Sequence, residues 1–134
     1  MVKSNISIVL GVTICIMLIL VCAKSPEFEI VSHWEKNQSH IYSVYTKITD
    51  LNKMQSFAET LPYTLGKNTT VCFFKDKELT PDFNTIEGSS WTMTVIGISK
   101  SEDFKNCTAW YDRLSSGDDR IVEDPAIHLA DGLF

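Results

Sequence analysis

The chain has 134 residues, 44% of them hydrophobic, and a formal charge of −5. Once a leader is removed, that length holds one small domain and not two. An acidic balance without a basic cluster argues against nucleic acid and anionic membrane as partners.

The first 23 residues read as a secretory signal peptide. Lys3 precedes an almost wholly apolar run from Ile8 to Val21, and Val21-Cys22-Ala23 offers a small-residue exit. The run is shorter than the ~20 residues that span a bilayer, so cleavage after Ala23 is expected, with a secreted, extracellular product. Cys15 and Cys22 leave with the leader, and Cys72 and Cys107 remain. Two cysteines in an oxidising compartment make one disulfide possible, but the fold must rest mainly on a hydrophobic core.

Residues 24–39 are polar and aperiodic and read as an N-terminal arm, with a single domain over 40–134. Ile41–Thr49 is rich in β-branched and aromatic residues and predicts a strand. Asp50 is an N-cap for a helix whose Leu51, Met54, Phe57, Ala58 and Leu61 recur at helical spacing. That helix should loosen at Pro62 and end near Gly66. Thr69–Lys75 predicts a second strand, and 76–90 a polar connection ending in a turn. Trp91–Ser99 reads as the clearest strand of all on propensity. Ser101 caps a predicted second helix with Phe104, Cys107, Tyr111 and Leu114 on its buried face. An acidic loop follows at 115–124, and Ala126–Ala130 is the last strand.

The expected fold class is therefore α+β, in the ferredoxin-like order β-α-β-β-α-β. Two helices on one side leave the other sheet face uncovered. A second copy is the simplest cover, so a homodimer is expected.

Four short motifs carry a family resemblance. "TDLNKMQSFAETLPYTLGK", "EGSSW", Ala109-Trp110-Tyr111-Asp112 and Asp131-Gly132 occur in this order. Together they resemble a bacterial family of small proteins of unknown function within the dimeric α/β-barrel superfamily. The resemblance covers about residues 40–132. It implies a ferredoxin-like protomer that dimerises through its open sheet face, with the A-W-Y-D sequence on a helix. Leu51 stands where that family has proline, and Lys75-Asp76-Lys77 where it usually has a basic residue followed by glycines.

No chemical motif stands out. The histidines form no H-x-x-x-H pair and lie apart in sequence from the cysteines, so spacing gives a metal site no support, and no cofactor is expected. His40, Tyr42 and Tyr45 are weak candidates for a proton carrier of the cyclase or monooxygenase type, though His40 and Tyr45 alternate in parity along the strand. Asn37, Asn68 and Asn106 open glycosylation sequons. Cys72 on a strand and Cys107 on a helix over the opposite edge would be poorly placed to bond, which leaves two buried thiols as the alternative. The leading expectation is a secreted glycoprotein that binds a small apolar or amphipathic ligand without catalysis. The alternatives are a cofactor-free enzyme and a protein-interaction module.

Overall fold

A computed structural model of the chain describes residues 26–128. The leader, Leu129-Ala130 of the expected last strand, and Asp131-Gly132 lie outside those residues. The element order is β1 (Phe28–Lys36), β2 (Ser39–Thr46), α1 (Leu51–Thr60), β3 (Thr69–Phe74), α2 (Trp91–Ser99), β4 (Cys107–Arg113), β5 (Asp119–Glu123) and α3 (Pro125–His128). Short 3-10 helices occupy Phe83–Thr85 and Glu102–Asn106. Among the described residues the strands form one mixed sheet in the order β1-β2-β3-β4-β5. Strands β2 and β3 run parallel, with α1 as their crossover; the other neighbours are antiparallel.

The α+β class matches expectation, while several elements do not. The supposed arm is the edge strand β1. Its alternation is broken by a bulge between Ile30 and Ser32, which puts consecutive apolar residues out of phase. Trp91–Ser99 is a helix. Ser90 caps it by accepting from the Met93 N–H, and Thr94, Val95 and Ile98 are buried at helical spacing. Packing on the sheet outweighs the β preference of its residues. Residues 107–113 form a strand in place of the second helix. β4 lies between β3 and β5 and is buried along most of its length, so both its faces are apolar and a helical stripe can be read into them. The fifth strand falls in the expected acidic loop, and Pro125–His128 is helical where a last strand was expected.

Helix α1 is as expected at its start. Asp50 accepts from the N–H groups of Asn52 and Lys53. It stops at Thr60, before Gly66, because Leu61 precedes a proline and is held extended at ψ 147°.

Two cores flank the sheet. Trp34, Ile41, Cys72, Phe74, Cys107 and Trp110 pack against Phe83, α2 and Phe104 on one face. Tyr42, Val44, Val71, Phe73, Ala109 and Tyr111 pack against Met54, Ala58 and Leu61 on the other. The Phe83 segment is pinned by its N–H, which donates to the buried Ser32 hydroxyl at 2.8 Å. Both faces are covered within one chain, which removes the open face from which a homodimer was expected.

Candidate metal centre

The β1–β2 hairpin turns through two residues, Asn37 and Gln38, with φ of 50° and 65°. Two left-handed residues in a two-residue loop match the twist of the flanking strands and fix their register. Across that register His33 opposes Tyr42, and Glu35 opposes His40. Period-two alternation then sends all four side chains to the α1 face of the sheet.

There they meet. His33 Nε2 and His40 Nδ1 are 2.8 Å apart, within hydrogen-bond reach. The His33 ring lies on the Tyr42 ring at 4.2 Å between centroids and 8° between planes. Tyr42 is held in turn by its hydroxyl, which donates to the Pro62 carbonyl at 2.8 Å. One ligand atom from each of His33, Glu35 and His40 lies within 4.8 Å of the other two. His40 is 6% exposed, His33 is half-buried and Glu35 faces solvent.

The electrostatics favour a neutral His33 ring. Burial lowers the pKa of His33 below its usual 6.5 and the neighbouring His40 adds to this, against a smaller upward pull from Glu35. A neutral imidazole keeps a lone pair for a metal ion, so this shift reduces competition from protons. Thr69 stands beside His40 in the β2–β3 register. It is 2% exposed and its hydroxyl has no partner among the described residues, so a polar group is available at the inner wall of the cluster.

The donor set fits a first-row divalent ion. Two imidazoles and a carboxylate suit zinc, copper or iron, whereas calcium and magnesium prefer oxygen alone. Metal–nitrogen bonds of about 2.0–2.1 Å place two tetrahedral nitrogens about 3.3 Å apart. The histidine pair therefore has to open by only about half an ångström, exchanging its shared proton for the ion. Three protein ligands leave a coordination position free.

Spacing gave a metal no support, yet a signal was present. His33-Trp34-Glu35 has H-x-E spacing, and His40 follows five residues later. The candidate proton carriers divide between faces: His40 and Tyr42 join the cluster, and Tyr45 lies on the opposite face. Tyr42 is 2% exposed and its phenol is pushed up to about 12, first by burial and then by Glu35. It holds its proton at neutral pH.

Asn37 sits exposed at the hairpin tip, and Asn68 and Asn106 are half-buried. Asn68 also accepts from the Ser115 N–H at 2.8 Å, bracing the β4–β5 turn. Cys107 is on β4 beside β3, so the separation expected between it and Cys72 does not hold. Beside α1, Glu27, Phe28 and Phe57 line a cleft of about 470 Å³. Its Phe28 and Phe57 rings are stacked on each other at 4.4 Å, which satisfies much of its apolar surface internally.

No family model matches the chain, and no curated protein or solved structure is significantly similar to it. The four short motifs are thus what the family resemblance rests on, and its A-W-Y-D sequence lies on β4 here and not on a helix.

Proposed function

We propose that this chain is a divalent transition-metal-binding protein, holding zinc or a similar ion through His33, Glu35 and His40. The observation that carries the reading is the convergence of three ligand atoms within 4.8 Å on one hairpin. The tight turn and the stacked Tyr42 hold two of the three ligands in place before metal arrives, so little ordering entropy is lost on binding. The role in this reading is binding without catalysis: the Tyr42 hydroxyl is committed to the Pro62 carbonyl and Tyr45 lies on the other face. In this reading the protein acts outside the cell, delivered by residues 1–23, with Asn37 as the most exposed glycan acceptor. An α+β sheet is compatible with a ferredoxin-like relative, but two protomers would have to pair along the β1 or β5 edge.

Calorimetric titration of the metal-stripped protein with zinc tests the proposal. One ion per chain is expected, with binding lost in the His33→Ala, His40→Ala double variant and weakened by Glu35→Gln. No heat of binding, or equal binding by the double variant, contradicts it.

A further inference from the structure

Cys72 and Cys107 are adjacent for a reason that simple strand alternation does not give. β3 and β4 pair with Cys72 opposite Trp110, Phe73 opposite Ala109 and Phe74 opposite Cys107. Thr108 is the extra residue of a bulge at that point. Without it, Cys107 would have the parity of Ala109 and Tyr111 and face α1. With it, Cys107 joins Trp110 and Cys72 in the core beneath α2.

The two cysteines share one face and one core, with Cys107 opposite Phe74 and Cys72 two residues along the same strand as Phe74. Both thiols are free and buried in the structure. The Cys107 thiol donates to the Ala109 carbonyl at 3.2 Å. Burial raises the Cys72 pKa well above its usual value, and the contact with Cys107 and the charge of Asp112 push it the same way. Once folded, Cys72 does not readily become the thiolate that exchange chemistry needs. Both thiols are enclosed in the core, Cys72 at 0% and Cys107 at 3% exposure, so an outside disulfide reaches them most easily while the sheet is still forming.

We propose that Cys72 and Cys107 are joined by an intrachain disulfide in the mature protein, made during folding. This rests on delivery to an oxidising compartment and is independent of the metal site. The chemistry is thiol–disulfide exchange with a disulfide of a protein oxidoreductase or of a small thiol such as glutathione. One cysteine thiolate attacks that disulfide and releases one thiol. The other cysteine then attacks the mixed disulfide and releases the second. The cysteine pair loses two electrons and two protons, and the incoming disulfide takes up both as two thiols.

The test is alkylation of denatured protein recovered from cells expressing the full chain, from the medium or, if retained, from the cells. Without reductant, neither Cys72 nor Cys107 should be alkylated, and a digest should contain a single linked peptide pair joining them. After reduction both should be alkylated. Alkylation of both before reduction overturns the proposal, as does either cysteine linked to another chain. The Cys72→Ala, Cys107→Ala variant should show no linked pair while still binding zinc, which separates this bond from the metal centre.

Discussion

His33 and His40 are seven residues apart in sequence and 2.8 Å apart in space, ring nitrogen to ring nitrogen. The distance is a product of register. Asn37 and Gln38 turn the chain within two residues, and β1 and β2 run back to back with Glu35 opposite His40. A strand slipped by one residue would send His33 to the face of Trp34 and dissolve the cluster. An insertion of one glycine after Gln38 is therefore expected to abolish zinc binding while leaving the helical content seen by circular dichroism largely intact.

The lowered pKa of His33 makes a pH-dependent contribution to stability. The unfolded chain takes up a proton near pH 6.5, and the folded protein does so only at lower pH. The contribution is full above pH 6.5 and is lost as pH falls toward the folded value. His33→Phe retains a ring to stack on Tyr42 and cannot titrate. For metal-free protein, the thermal midpoint of this variant should fall less than that of the wild type between about pH 7 and pH 5. Equal slopes would show that His33 titrates normally.

Asp112 behaves in the opposite sense. Its carboxylate is 2% exposed, accepts from Thr70 at 2.6 Å and lies 3.8 Å from Arg120. Burial nevertheless dominates and raises its pKa above 3.8, against the hydrogen bonds from Thr70 and Trp110 and the charge of Arg120. The folded state then holds a proton that the unfolded state has released, so stability falls as pH rises from 3.8 through the folded value. Asp112→Asn keeps an acceptor for Thr70 and removes the ionisation. Measured by urea unfolding, the stability of the variant relative to the wild type should rise between about pH 3 and pH 7.

Gly88 is a packing glycine. A Cβ there would run into the Thr94 side chain, whose hydroxyl is already committed to the Ser90 carbonyl at 2.8 Å. Gly88→Ala must displace the first turn of α2 and should cost about 1–3 kcal/mol in chemical denaturation. Removing the obstruction as well, with Thr94→Ala, should recover part of that loss.

A Cys72–Cys107 bond would close the long excursion from β3 through α2 to β4. Chain-entropy arithmetic for a loop of this size gives about 4 kcal/mol. Unfolding in urea with and without reductant should differ by a sizeable part of that amount. No difference would place the thiols in the reduced state throughout.

Much of the frame is legible in the sequence where one pattern dominates. Asp50 and the Leu51–Leu61 stripe announce α1, and the β-branched run at 41–46 announces β2. The misreadings have particular causes. A bulge hides β1, and a helix made of strand-favouring residues hides α2, although Ser90 as a cap and the Val95–Ile98 spacing are there to read. β4 is buried on both faces, so Cys107, Tyr111 and Leu114 mimic a helical stripe. The metal ligands are half legible. H-x-E is a local signal, but the convergence of His40 depends on a two-residue turn between strands, one of which reads as an irregular arm.

X-ray absorption at the zinc edge on protein loaded with one equivalent tests the central claim most directly. Two imidazole nitrogens and one carboxylate are expected at about 2.0–2.2 Å, with one imidazole lost in either His33→Ala or His40→Ala. A shell of oxygen ligands alone, unchanged in both variants, would contradict it.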